Sequence, residues 1–134
     1  MKKIFLVGSL SAGILVLLAG VGLNLLTAIS RSGSDSMEPT IPVGSFLYTN
    51  FFETPEIGDI ISFRCKPEYR KLDKCYDGEE DLIVDIGHRL TAIDENGCMS
   101  IVGDNPKYQT RWSTLPCYKP EEIYIKGVIH KLPL

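Results

Sequence analysis

The first 30 residues constrain this chain most, because residues 4–29 contain no ionisable side chain. As a helix with a rise of about 1.5 Å per residue, this stretch reaches roughly 39 Å and exceeds a hydrocarbon core of about 30 Å. Lys2 and Lys3 precede it, and the cytoplasmic flanks of membrane helices carry an excess of basic residues. The sequence therefore predicts a single-pass anchor over residues 1–30 in the cell (inner) membrane. The N-terminus would be cytoplasmic and residues 31–134 would form an extracytoplasmic domain against the lipid bilayer.

A cleaved secretory signal is the alternative interpretation of this segment. The apolar region of such a signal is typically about 7–15 residues long, which is shorter than residues 4–29. Small residues at Ala19 and Gly20 could still imitate a cleavage site. We favour the retained anchor, and a mature N-terminus near residues 20–30 would indicate cleavage instead.

The remainder of the chain has the length of one small domain and the pattern of a mainly β fold. Its short runs rich in β-branched and aromatic residues are bounded by Gly, Pro and Asn. No long amphipathic helix is predicted after residue 30. The formal net charge is -3 without a basic stripe, so nucleic acid is not an expected partner. Predicted strands cover residues 44–50, 59–64, 82–86, 88–93, 98–102 and 123–129, with a hairpin turn at 94–97 in which Asn96 and Gly97 supply positive φ angles.

All four cysteines fall in this predicted domain, at positions 65, 75, 98 and 117. An even number in an extracytoplasmic domain favours disulfides, for which three connectivities exist. We prefer Cys65–Cys75 with Cys98–Cys117, because each pair closes a local loop. The charged residues 66–81 would then form an insertion tied by a disulfide. A four-cysteine zinc site is the rival, but the spacings lack the short C-x₂₋₄-C pairs that are typical of such sites.

Three short motifs carry candidate chemistry: Ser-Met-Glu-Pro-Thr at 36–40, His-Arg at 88–89 and Gly-Asp-Asn at 103–105. A serine nucleophile needs a base, because the free hydroxyl is weakly nucleophilic. The two histidines are His88 and His130, and a carboxylate such as Asp104 could stabilise the protonated imidazole. Each motif also has an ordinary structural explanation: a turn serine, a structural histidine and an Asp-Asn turn. Their order behind a predicted anchor favours a serine peptidase at a membrane surface.

These motifs resemble those of the type I signal peptidases, in order and over the whole chain. Residues 36–40 resemble the nucleophile box, and residues 58–63 (Gly-Asp-Ile-Ile-Ser-Phe) are similar to the strand that follows it. His88 and Arg89 stand at the place of the general base, where most bacterial members carry Lys-Arg. Histidine there resembles the archaeal and endoplasmic-reticulum branch. Residues 101–105 and 126–128 resemble the last box and the closing strand.

The resemblance implies a largely β catalytic domain on the outer membrane face that cleaves exported proteins after small residues at −1 and −3. Ser36 would be the nucleophile, His88 the base and Asp104 a supporting carboxylate. Ser34 and the Ser36 N–H would form the oxyanion hole, and Met37 and Pro39 would lie against the substrate. The histidine branch often carries a second aspartate where this chain has Thr110, so which carboxylate supports His88 stays open.

Three functions remain possible at this point: a general signal peptidase, a dedicated peptidase for a pilus, conjugation or similar secretion system, and a non-catalytic membrane subunit that binds leader peptides. Serine hydrolysis needs no cofactor or metal. With histidine as the base, the rate should rise with pH through an apparent pKa near neutrality. A rate still climbing steeply above pH 8 would instead indicate a lysine base and direct attention to Lys107 and Lys126. The sequence does not predict an oligomeric state.

Overall fold

The computed structural model describes residues 15–18, 28–69, 75 and 85–133. Residues 15–18 are helical and exposed. Most of the predicted anchor at 1–30 and most of the predicted insertion at 66–81 lie outside the described residues. Within the described ranges, no helix has both the length and the apolar character needed to cross a bilayer.

Strands dominate the described part of the chain, as the β-rich runs predict. The β-rich runs at 44–50, 59–64, 98–102 and 123–129 each form a strand within a few residues of the predicted bounds. The run at 88–93 extends back to Ile86, whereas residues 82–84 lie outside the described part. The strands are β1 (Ile29–Arg31), β2 (Phe46–Asn50), β3 (Ile60–Cys65), β4 (Ile86–Ile93), β5 (Met99–Val102) and β6 (Ile123–Lys131).

Short helical segments occupy two connections after residue 30. A 3₁₀ turn, Pro67–Tyr69, follows β3. A second 3₁₀ turn, Pro106–Tyr108, leads directly into the six-residue helix α1, Gln109–Thr114. Among the described residues after 30, no helix is longer than the six residues of α1.

The six described strands form one antiparallel sheet in the order β1-β2-β6-β3-β4-β5. The C-terminal strand β6 lies between β2 and β3, so it joins the first half of the domain to the second. Ile61 of β3 is opposite Val128 on one side and His88 on the other. The mainly β prediction is confirmed. This register places His88 on β4, an interior strand of the sheet, next to Ile61 of β3.

Two hydrophobic clusters hold the sheet and the loops that cross it. The larger cluster includes Phe63, Ile61 and Leu90, which are fully or almost fully buried. Burial of one such side chain contributes about 1.5–3 kcal/mol. The smaller cluster consists of Met37, Ile41 and Leu47. It attaches the loop after β1, which contains the candidate nucleophile, to strand β2.

The four cysteines pair as the local-loop argument predicts. The Cys65 and Cys75 sulfurs lie at bonding distance, as do those of Cys98 and Cys117. The first bond joins the end of β3 to the segment after it. The second joins the start of β5 to the chain just after α1, where Tyr118 forms an isolated bridge with Met99.

The predicted turn between β4 and β5 is present, but its backbone differs from the prediction in one respect. Gly97 has φ 78°, whereas no non-glycine residue in the described part has a positive φ, so Asn96 does not. The Asp94 carbonyl accepts from Gly97 N–H, and the Asp94 carboxylate accepts from the N–H groups of Asn96 and Cys98. The loop is longer than a two-residue hairpin turn. In such a loop only one residue needs a positive φ, and here that residue is Gly97.

Gly127 of β6 is expected to tolerate no side chain. An added Cβ would lie 2.2 Å from the carbonyl oxygen of Asn50 and 3.0 Å from Cα of Phe51, both of which are backbone atoms. At Gly87 the nearest atom is the flexible end of Ile129, at 2.8 Å. Gly127→Ala should therefore lower the free energy of unfolding by about 3 kcal/mol, and Gly87→Ala by less than about 1 kcal/mol. Urea unfolding of both variants tests this, and equal losses would contradict the backbone clash at Gly127.

Candidate active site

Ser36 lies in a loop that hydrophobic packing and local hydrogen bonds shape. Met37 is buried in the small cluster, and the Met37 carbonyl accepts from Ile41 N–H at 2.9 Å. The Asp35 carbonyl accepts from Glu38 N–H at 3.1 Å. The loop therefore turns tightly around the half-buried Ser36, with Met37 and Ile41 directed into the protein.

His88 lies on β4 beside this loop. It alternates with Leu90 on the buried side of the strand, and its ring centroid is 6.5 Å from that of Phe63. His88 Nε2 is 3.1 Å from Ser36 Oγ. The fold thus brings together two residues 52 positions apart in the chain, in the geometry of a nucleophile and its base.

Burial sets the proton affinity of His88. Its side chain is largely removed from water, which lowers its pKa from 6.5 to about 4, while the negative charge of Asp104 acts in the opposite direction. Desolvation prevails because it penalises the charged imidazolium. At neutral pH the ring is therefore neutral, which is the form that can accept a proton from Ser36. The expectation of titration near neutrality does not fit a ring this deeply buried.

Asp104 lies close to His88, but its described hydrogen bonds come from other residues. Its carboxylate accepts from Nε and a terminal nitrogen of Arg89 and from Thr40 Oγ1 at 2.6 Å. Arg89 also donates to the Gly58 carbonyl at 2.6 Å. The Arg89 guanidinium holds the pKa of Asp104 below its ordinary value, so the carboxylate is ionised. Asp104 therefore acts on His88 through its charge, and it also links β4 to the loop around Ser36.

The other predicted residues of the site differ in placement. Ser34 Oγ is 3.0 Å from Ser36 Oγ, so this hydroxyl is beside the candidate nucleophile. Met37 lines the cavity at the site, although its side chain is mostly buried in the small cluster. Pro39 is exposed, and it is not among the residues that line this cavity.

Sequence reasoning missed the residues that hold the loop of Ser36 from the opposite side. Asn105 donates from its backbone to the Ser36 carbonyl and from its side chain to the Asp35 carbonyl. The Tyr108 hydroxyl donates to the Asp35 carboxylate at 2.9 Å and lowers the pKa of that group. The available signal was the Gly-Asp-Asn motif, but local sequence cannot distinguish a turn from a loop that contacts residues about 70 positions away.

The two lysines considered as alternative bases are both in ion pairs. Lys126 Nζ lies 2.6 Å from Asp85, and Lys107 Nζ lies 3.5 Å from Asp35. The neighbouring hydroxyl of Tyr108 raises the pKa of Lys107, and the Asp35 carboxylate acts in the same direction. Lys107 is thus stabilised in the charged form that cannot act as a base.

A cavity of about 780 Å³ opens at Ser36 and His88. Its walls mix small polar side chains with apolar ones, as in sites that bury part of a ligand and orient it with a few polar groups. Ser36, Ser34 and His88 are among the polar lining residues, and charged side chains such as Asp85, Arg111 and Lys126 also line the cavity. Apolar wall residues include Phe51, Ile86, Leu115 and Ile129.

A comparison with protein-family models found a match to this chain. The family described as "Signal peptidase, peptidase S26" matches residues 6–129, which is most of the sequence. Comparisons with curated proteins and with solved structures gave no match.

Proposed function

This chain belongs to the peptidase S26 family of signal peptidases, and on that basis we propose that it is a membrane-bound serine endopeptidase that removes N-terminal leader peptides from exported proteins. Ser36 is the nucleophile and His88 is the general base, as in the histidine branch of the family. The observation that carries this assignment is the 3.1 Å separation of Ser36 Oγ and His88 Nε2 at the cavity.

The first half of the reaction follows from this geometry. Neutral His88 accepts the hydroxyl proton while Ser36 Oγ forms a bond to the carbonyl carbon of the scissile peptide. The carbonyl π electrons move to oxygen, and this oxyanion is held by the Ser36 N–H and the Ser34 hydroxyl. When the oxyanion collapses, the C–N bond breaks and His88 returns its proton to the leaving amine. In the second half, His88 accepts a proton from water while the water oxygen bonds to the acyl carbon. Collapse of this second oxyanion breaks the bond to Ser36 Oγ, and His88 returns the proton to Ser36.

The environment of His88 suits both proton transfers. Its lowered pKa makes the imidazolium a strong acid toward the leaving amine, while the charge of Asp104 limits how far the proton affinity falls. Because Arg89 and Thr40 hold the Asp104 carboxylate, that charge has a fixed position. Asp104 is therefore proposed as the supporting carboxylate through its electric field.

We propose that the catalytic domain lies on the outer face of the membrane. The uncharged stretch at 4–29 behind Lys2 and Lys3 supports an anchor with a cytoplasmic N-terminus. Two disulfides favour an oxidising compartment for the catalytic domain. This arrangement would bring the cavity to exported chains as they leave the membrane.

The assay for this function uses the full chain in detergent with a synthetic leader peptide that ends in Ala-x-Ala before the cleavage site. We expect cleavage after the second alanine and none in a matched peptide with leucine at −1, since the substrates implied have small residues there. Cleavage at both sequences would contradict the small-residue specificity. Cleavage of only one leader in a panel would favour the dedicated maturation peptidase, and cleavage of none would favour the non-catalytic subunit.

Ser34→Ala is expected to lower kcat by about 10²-fold, with little change in KM. The Ser34 hydroxyl lies beside Ser36 Oγ, and loss of one oxyanion donor typically costs about 10²–10³ in kcat. Ser113→Ala, on the exposed side of α1, is the matched control and should retain full activity. An unchanged kcat in Ser34→Ala would show that the second donor lies elsewhere.

A further inference from the structure

One residue, Asn105, holds both peptide groups that flank Ser36. Its backbone N–H donates to the Ser36 carbonyl at 2.9 Å, and its Nδ2 donates to the Asp35 carbonyl at 2.7 Å. We propose that Asn105 is a positioning residue for the oxyanion hole, and that Tyr108 supports the same alignment through Asp35. This proposal rests on the serine-peptidase function proposed above.

The planarity of the peptide group makes the contact with Asp35 consequential. The peptide bond between Asp35 and Ser36 is trans, so the Asp35 C=O and the Ser36 N–H share one plane and point in opposite directions. The Asp35 carbonyl is held by Asn105 Nδ2 and by Glu38 N–H. Those two hydrogen bonds therefore also fix the direction in which the Ser36 N–H points.

The amide of Asn105 is itself held in one orientation. Its Oδ1 accepts from the backbone N–H of Lys107 at 3.0 Å and caps the 3₁₀ turn Pro106–Tyr108. With the oxygen so engaged, the Nδ2 group faces the Asp35 carbonyl. Through these two hydrogen bonds, the position of the 3₁₀ turn determines where the Asp35 carbonyl lies in the loop that contains Ser36.

Tyr108 supplies the second attachment. Its hydroxyl donates to Asp35 Oδ1 at 2.9 Å in a partly buried contact. Lys107 also reaches this carboxylate, but at 3.5 Å and from a mostly exposed position. Such an exposed ion pair contributes little to alignment, so Lys107 provides a neighbouring control.

Alignment of this kind acts on rate rather than on substrate binding. An oxyanion donor must lie about 2.7–3.1 Å from the oxygen that develops charge, and a misplacement of about 1 Å can reduce the rate about 10²-fold. Substrate in its ground state carries no such charge. Loss of the Asn105 contact should therefore lower kcat and leave KM nearly unchanged.

The decisive variant is Asn105→Asp in the full chain. It preserves the shape of the side chain and the Oδ1 acceptor for Lys107 N–H, but it removes the N–H donor to the Asp35 carbonyl. On the pH plateau of activity, we expect kcat to fall about 10- to 100-fold with KM within about twofold. Tyr108→Phe should lower kcat about three- to tenfold, and Lys107→Ala should leave it unchanged.

A leader-sequence peptide aldehyde provides a readout that fold stability alone would not change. The Ser36 hydroxyl adds across its carbonyl, forming a C–O bond to Oγ and placing the former carbonyl oxygen in the oxyanion hole. The affinity of Asn105→Asp for this aldehyde should fall by the same factor as kcat, while its affinity for the product peptide stays constant. Unchanged kcat, or unchanged aldehyde affinity, would overturn the proposal.

Two further outcomes are distinguishable. If circular dichroism shows that Asn105→Asp is unfolded, Tyr108→Phe decides the question, and a wild-type kcat with wild-type aldehyde affinity in that variant overturns the proposed alignment. If wild-type protein cleaves no leader peptide and binds no aldehyde, the proposed function itself fails, and the positioning role fails with it.

Discussion

Ser36→Ala is expected to lower the rate of leader-peptide cleavage by at least about 10³-fold. The serine hydroxyl is the atom proposed to bond to the scissile carbon, and no other hydroxyl lies as close to His88 Nε2 among the hydrogen bonds described for the site. Removal of the nucleophile in a serine-histidine system leaves only the oxyanion hole and substrate binding, and typical losses exceed 10³-fold. The measurement is product formation by mass spectrometry at saturating peptide.

The controls separate loss of chemistry from loss of structure. Ser36 is half-buried and removal of one hydroxyl leaves the Met37 cluster intact, so Ser36→Ala should keep its melting temperature within a few degrees. It should also bind the product peptide as wild type does. Retention of more than about a tenth of the wild-type rate would mean that a different group attacks the peptide.

The sequence was sufficient for those parts of the fold that depend on local pattern. Runs of β-branched residues predicted strands β2 to β6, whereas β1 overlaps the end of the predicted anchor and was not predicted. Cysteine spacing predicted both pairs, because each closes a short loop. The order of the motifs predicted that Ser36 and His88 would meet. That last prediction came from resemblance to a family, since nothing in the residues between them indicates the register that brings β4 beside the nucleophile loop.

The parts of the site that escaped prediction depend on burial and on long-range hydrogen bonds. The pKa of His88 is set by how much water the surrounding side chains exclude, and a sequence does not state that quantity. Asp104 could be recognised as a candidate carboxylate, but its pairing with Arg89 and Thr40 arises only when β4, β5 and the nucleophile loop converge. The backbone of Asn96 was mispredicted for a different reason. An Asn-Gly pair suits both a two-residue turn, in which both residues have positive φ, and a longer loop, in which only the glycine does.

The second large effect concerns His88. His88→Gln is expected to lower cleavage at least about 10³-fold, because glutamine can hydrogen-bond to Ser36 but cannot accept its proton at neutral pH. His130→Gln is the matched control, since His130 is paired with Glu53 at the exposed end of β6. It should retain wild-type activity, and a comparable loss in both variants would remove the special role of His88.

The pH dependence of wild-type kcat/KM tests the same residue through its environment. With a pKa lowered to about 4 by burial, His88 is about nine-tenths neutral at pH 5, whereas an ordinary histidine of pKa about 6.5 would be only about 3% neutral there. Activity should therefore stay nearly flat from pH 8 to pH 5 and fall near pH 4. An acid limb centred near pH 6.5 would show that His88 is solvated in the working enzyme, and a rise continuing above pH 8 would indicate a lysine base.

Protein stability must be followed in the same experiment, because the buried ring links folding to pH. The folded-state pKa of His88 is below its unfolded value of 6.5, so the unfolded chain binds more protons between pH 6.5 and pH 4. The stabilisation is complete above pH 6.5 and is lost as pH falls toward 4, by about 3 kcal/mol at most. His88→Gln lacks this titration, so its urea stability should fall less than that of wild type across this window. If stability changes equally with pH in the two proteins, burial does not lower the pKa of His88. The flat activity profile expected between pH 8 and pH 5 would then have no physical cause.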